Sequence, residues 1–209
     1  MNVNSSKTRI EAFSDGVFAI VITLLVLELK PGEDGASAHD MIVHAVPKIL
    51  SFVLSFVVIG SYWVAHHRMM HFIKTVDRTL LWLNLALLMV VTFVPYPTAL
   101  VGATHGELDA VRLYGATLMT ANLLGTVLWL YGTRPEHRAD SLVAGQRWRV
   151  AAIHAAPIVV YAIAILLAPA AIFFTLACYA AVPLFFIFAG RWVDRLTAGS
   201  AAVSSGFQR

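Results

Sequence analysis

The chain has 209 residues, of which 59% are hydrophobic and 13% charged, and its formal charge is +3. A soluble domain carries roughly a quarter charged residues, so this chain lacks the polar surface to meet water, and lipid is the solvent that fits. The small positive charge does not support nucleic-acid binding, and the single cysteine, Cys178, excludes an intrachain disulfide.

A spanning helix needs about 20 mainly apolar residues at ~1.5 Å rise each. The sequence predicts an all-α membrane protein with six such spans, at about 9–29, 46–66, 79–101, 112–133, 149–168 and 170–190. Together, residues 1–196 form one transmembrane domain. The N-terminal segment does not read as a cleaved signal, because Glu11 and Asp15 stand where an apolar region should begin. The first span is unusual. Its uncharged part runs only from Gly16 to Leu27, which covers ~18 Å of a hydrocarbon core of ~30 Å. A helix bathed in lipid on all sides cannot easily carry Asp15, so it is expected at the centre of an assembly, among protein and water. A peripheral helix whose Asp15 snorkels is the alternative.

The second span has Pro47 placed early, and 80–101 in the third contains no charge. Residues 150–190 lack Asp, Glu, Lys and Arg altogether, yet are too long to cross once. Pro169, in the string LLAPAA, marks the turn between the last two helices. The tail at 197–209 is small and polar and is expected to be a disordered cytoplasmic segment. Of the 15 lysines and arginines, only Lys30, Lys48 and Arg112 fall on one side of the bundle. The positive-inside bias therefore places both termini in the cytoplasm.

The run Arg9-Ile-Glu-Ala-Phe13-Ser14-Asp15, followed by GVFAIVITLLVLEL, resembles the signature of the transmembrane-protein-175 family of potassium channels. Trp63-Val-Ala-His66-His-Arg68 is similar to the end of that family's second helix. The stretch from Leu83-Asn84 to Pro95 is similar to its third. The resemblance covers most of residues 9–100, and the last three helices agree only in hydropathy. It implies a bacterial-type potassium channel of the cell membrane, modestly selective over sodium. It also implies a homotetramer whose first helices line the pore, with no TVGYG-type filter. The partners implied are the lipid bilayer, further copies of the chain and permeant monovalent cations such as K+. No cofactor is implied.

The residues themselves are compatible with this picture. At ~100° per residue, Gly16, Ile20, Thr23, Leu24 and Leu27 share one face of the first helix. Ser14 and Asp15 project elsewhere. Rings of Ile and Leu can gate by dewetting, and a ring of Thr oxygens can help to strip a cation. By resemblance, Ile20 occupies the constriction and Thr23 lies one turn further out. An ordinary packing face, with Thr23 bonded to its own backbone, is the competing reading.

Arg9, Ser14, Asp15, Trp63, His66 and Asn84 form a second constellation, each costly in lipid unless partnered. An Asp15–His66–Asn84 cluster with Arg9 close by is expected to fix the first helix against the second and third. A proton relay is the alternative role. His67 and His71 share a face at i, i+4, but the histidines lack the further ligands a metal centre needs. No GxSxG, CxxC or P-loop is present, which disfavours an enzyme. A secondary transporter would show inverted repeats and broken helices, and no duplicated short segment appears.

Overall fold

The computed structural model describes residues 3–29, 37–139, 141–142 and 144–198, with side chains throughout except at 3–5, 28, 144 and 188–198. Its elements are α1 (Val3–Leu24), a 3-10 turn (Leu25–Glu28), α2 (Ala38–His71), α3 (Arg78–Phe93), α4 (Pro95–Ala103), α5 (Leu108–Gly132), α6 (Ala144–Leu167) and α7 (Ile172–Ala198). Among the described residues, five stretches are long and apolar enough to cross a membrane, with α3 and α4 counted as one. The apolar part of α7 at Ile172–Ile187 supplies a sixth, shorter one.

Several boundaries differ from the predicted spans; α1, α5 and α6 start earlier, at Val3, Leu108 and Ala144. The second helix starts at Ala38 rather than near 46, because the Ser37 hydroxyl caps it by accepting from the Asp40 N–H at 3.1 Å. Its 34 residues reach ~51 Å, well beyond the ~30 Å hydrocarbon core. Pro47 thus lies inside the helix rather than at its head. The third span breaks at Val94. Pro95 has no N–H to give the Val91 carbonyl, which takes the Val94 N–H instead at 3.2 Å. The last helix continues to Ala198, so Thr197 is helical, and the rest of the expected tail, 199–209, lies outside the described residues. The Pro169 turn falls between α6 and α7, closed by the Ala170 and Ala171 N–H groups on the Leu167 carbonyl.

The hub of the bundle is α5, half of whose apolar window is buried (50%), against 17% for α2. It packs against α3, α4, α6 and α7. Packing at this hub is tight where Tyr114, Tyr161 and Tyr179 meet, with ring centroids 5.5–5.7 Å apart. Gly115 makes that approach possible, since a Cβ there would run into the Tyr179 ring and Ile165. By contrast, among the described residues α1 packs mainly on α2, α3 and its own 3-10 turn, so it stands at the rim of the bundle.

One end of the bundle is stitched by its loops. Residues 72–75 pair with 137–139, through Lys74 N–H on the His137 carbonyl (2.6 Å) and Ala139 N–H on the Phe72 carbonyl (2.8 Å). Asp77 caps α3 through the Leu80 N–H at 2.8 Å and accepts from the Tyr131 hydroxyl at 2.5 Å. Partial burial alone would push the Asp77 carboxyl up. The Tyr131 bond, the backbone N–H groups and nearby His137 outweigh it and hold the group below its ordinary value. Arg147 of α6 serves the C-terminus of α5, donating to the Leu130 carbonyl at 2.7 Å.

The tyrosine contact is testable. Gly115→Ala forces Tyr179 and Ile165 to move and is expected to destabilise the protein by roughly 1–3 kcal/mol. Gly125, with open space at its Cβ, provides the control: Gly125→Ala is expected to leave stability unchanged or slightly raised. Thermal unfolding of both variants in the same detergent checks the difference.

Candidate functional site

The two faces of α1 have opposite environments. Ile10, Ser14, Phe18, Val21 and Leu25 recur at helical spacing and are all buried against α2 and α3. On the opposite side Ile20, Leu24 and Leu27 are 59%, 52% and 63% exposed, and Thr23 and Gly16 are exposed with them. The 3-10 turn matters here. Residues at i and i+3 eclipse in that geometry, which brings Leu27 into line above Leu24. The uncovered face is therefore an apolar stripe with one hydroxyl in it. The Thr23 hydroxyl hydrogen-bonds its own helix, at 2.9 Å from the Ile20 carbonyl and 3.0 Å from the Ala19 carbonyl. Its proton is thus committed to the backbone, while the oxygen faces outward with lone pairs free to accept.

The buried face is held by two polar threads. In the first, Asn84 of α3 is the centre. Its amide N–H donates to the Ser14 hydroxyl at 3.0 Å, and its oxygen lies 2.7 Å from His66 Nε2. Ser14, His66 and Asn84 are all buried, so α1, α2 and α3 meet at one satisfied junction. Given that pairing, His66 Nε2 carries the proton, because the Asn84 oxygen can only accept. Phe18 packs its ring beside His66, with centroids 5.6 Å apart. In the second thread the Trp63 indole N–H donates to the Asp15 carboxylate at 2.9 Å.

The pairing differs from the expected one. Asp15 takes Trp63 as its partner rather than His66, because Trp63 and His66 are three residues apart on α2 and reach neighbouring points on α1. Arg9 is exposed and does not join the cluster. Its guanidinium needs no partner where it meets water. Nearby, His67 and His71 are exposed and lie against aromatic neighbours, His67 tilted against Trp63 at 5.8 Å and His71 edge-on to Phe72 at 6.2 Å. Among the described residues no group of three or more His, Cys, Asp or Glu could hold a metal ion.

Sequence reasoning missed a third polar tie. Asn122 of α5 donates to the Tyr62 hydroxyl at 2.7 Å, and that hydroxyl donates to the Leu118 carbonyl at 3.2 Å. The available signal was Asn122 itself, a carboxamide in an otherwise apolar and hydroxylated span, where a polar group needs a partner. Between these ties lies a small cavity of about 40 Å³, bordered by Ser61, Tyr62, His66, Asn122 and His154.

These features define a class: a polytopic helical membrane protein with one helix anchored by polar bonds on its inner face and bare on its outer one. The chain belongs to the TMEM175 family. The sequence model of that family, described as endosomal/lysosomal potassium channel TMEM175, matches residues 9–95, the part that contains both polar threads and the bare face. The chain is 42% identical over 147 residues to a potassium channel of Streptomyces collinus, covering 65% of this chain and 68% of that one. It is 37% identical over 147 residues to a potassium channel of Chamaesiphon minutus, covering 67% and 70%. The human endosomal/lysosomal proton channel TMEM175 is 30% identical over 151 residues, which span 66% of this chain but 30% of the human protein. The fold matches the crystal structure of a lysosomal potassium-selective channel TMEM175 homolog from Chamaesiphon minutus. That match has a TM-score of 0.77 and 29% identity, and covers 88% of this chain and 97% of the other.

The junction at Asn84 yields a direct expectation. Asn84→Ala leaves Ser14 and His66 buried without their shared partner and is expected to destabilise the protein by roughly 1–3 kcal/mol. The Ser14→Ala, Asn84→Ala double variant should cost less than the sum of the two single changes. Unfolding midpoints of the three variants in one detergent check this, and strict additivity would show the bond to be incidental.

Proposed function

We propose that the protein is a subunit of a potassium channel, with α1 lining a pore at the symmetry axis of a homotetramer. The observation that carries the reading is the bare stripe Ile20, Thr23, Leu24 and Leu27, set on a helix whose other face is locked by hydrogen bonds. A single chain offers one such helix and cannot enclose an axis, so the stripe needs other copies. Four is the number that the family resemblance suggests. Ile20 is β-branched and rigid, and a ring of such side chains makes a dry constriction that opens when water and ion can enter. The outward Thr23 oxygens supply a weak polar ring one turn further along. The concentration of basic residues on one side of the bundle supports cytoplasmic termini. Relatives named as potassium channels in Streptomyces and Chamaesiphon support placement in a bacterial cell membrane. Channel conduction of this kind asks for no catalytic group.

The test is current through the purified protein in liposomes. Wild-type protein is expected to give unitary currents too large for a carrier, with a reversal potential that favours potassium modestly over sodium. A proton gradient in place of the potassium gradient separates potassium conduction from the proton conduction for which the vertebrate relatives are named. Ile20→Asn puts hydrogen-bonding groups into a dry ring and is expected to raise the current several-fold, while Ile20→Val stays near wild type. A well-assembled Ile20→Asn protein with unchanged current would overturn the pore assignment.

A further inference from the structure

The loops at the basic end of the bundle enclose a histidine whose two ring nitrogens each meet a neighbour. His137 Nδ1 lies 3.0 Å from the Thr75 hydroxyl, and Nε2 lies 3.6 Å from the Asp77 carboxylate. The hydroxyl has one proton, which it donates to the Glu136 carbonyl at 2.9 Å. Toward the imidazole it can therefore only accept, so the proton of a neutral His137 sits on Nδ1. Nε2 then carries a lone pair beside the carboxylate of Asp77, which is itself an acceptor. Neither atom can donate to the other. A second proton on the ring turns the same contact into an ion pair.

The surroundings support that response. The His137 side chain is 14% exposed and that of Asp77 40%, so water reaches the pair but screens it only in part. The imidazole stacks on Tyr131 with centroids 5.3 Å apart, which holds the ring in place. The other charged groups around it are Arg134, Glu136 and Arg138 of its own loop and Lys74 across the tie. Arg134 is turned over the Tyr131 ring at 4.6 Å. Among the described residues, Asp77 is the carboxylate within ion-pair distance of the imidazole. Partial burial pushes the Asp77 carboxyl up, but the Tyr131 and backbone bonds outweigh it. The group thus stays ionised across the range of about pH 5–8 in which histidine changes charge.

We infer that His137 and Asp77 form a pH-sensitive clasp between the α2–α3 and α5–α6 loops, closed by protonation of the imidazole. The ion pair is present on the acid side of the histidine range and is lost as pH rises through it. It is lost again at much lower pH, where Asp77 takes up a proton. The clasp sits on the backbone pairing of the same loops, in which the Lys74 and Thr75 N–H groups donate to the His137 carbonyl and the Ala139 N–H to the Phe72 carbonyl. It thereby acts on the end of α2 and the start of α3, the two helices on which α1 docks.

The inference does not depend on the channel reading and is tested without current. Hydrogen exchange of the full-length protein in mild detergent is followed by mass spectrometry at about pH 5.5 and pH 7.5, on either side of the histidine range. Peptides that contain Lys74, Thr75 and Ala139 report on the tie, each rate being divided by the intrinsic rate at that pH. Wild-type protein is expected to exchange these amides about two- to fivefold more slowly at the lower pH, the scale of a partly screened ion pair. Asp77→Asn keeps an oxygen for the Leu80 N–H and the Tyr131 hydroxyl but removes the charge, and should remove the pH response. His137→Gln is neutral at both pH values and should remove it as well. The two variants reach the clasp from opposite sides, so misfolding of one leaves the other to decide. The turn at Ala170 and Ala171, closed by backbone bonds alone, is the internal control and should not respond. Equal scaled rates in wild type at both pH values overturn the proposal. So does a full response in either folded variant, or a response of the same size at the Ala170–Ala171 turn, which would mark a change of the whole bundle.

Discussion

Inside a bilayer, helices gain little from burying apolar surface against one another, because lipid tails are as apolar as leucine. Orientation must then come from packing and from hydrogen bonds that have no substitute in lipid. The three-helix junction at Asn84 supplies such bonds. It joins Ser14 of α1 to His66 of α2 within a buried site, and the next residue, Asp15, adds a tie to Trp63. These bonds fix which way α1 faces, and so decide that Ile20 and Leu27 look outward. Rotating α1 by about half a turn would bury the stripe and break the Ser14 and Asp15 bonds. The apolar face can stay bare because the polar face is secured.

The rest of the bundle serves as the frame for that junction. The hub helix α5 holds α2 through Asn122 and Tyr62 and holds α7 through the close approach at Gly115. Its end is capped by Arg147 from α6. The 72–77 and 134–139 segments then tie the ends of α2 and α5 together and cap α3. Both α2 and α3 are therefore anchored independently of α1, which makes them a fixed surface for it to dock on.

Much of this was legible in the sequence where the signal was local. The apolar runs located the helices, and the costly polar residues of the first three spans pointed to a shared cluster. The pairing inside the cluster was not legible, because Trp63 and His66 lie on one face of α2 and only the helix packing decides which of them meets Asp15. Arg9 was grouped with the cluster on its charge, yet the helix carries it to the exposed surface. The early start of α2 did leave a trace in Ser37-x-x-Asp40, a capping pattern, hidden by the polar His39, Asp40 and His44 that lowered the apolar count. Likewise Pro95 announced the break in the third span, but unbroken hydropathy masked it. Arg147 shows in the sequence only as one more basic residue on the positive side, whereas the fold uses it to cap α5.

The central claim is that the bare face of α1 borders a water-filled path while the opposite face does not. Thiol accessibility measures this directly, in a Cys178→Ser background to remove the native thiol. Single cysteines at Thr23 and Leu27 on the bare face, and at Val21 on the buried one, are exposed to a charged, membrane-impermeant thiol reagent during recording from liposomes. The account predicts that the Thr23→Cys and Leu27→Cys currents fall within seconds to minutes of reagent addition, and that the Val21→Cys current does not change. Equal protection at all three positions, with the proteins assembled and conducting, would contradict it.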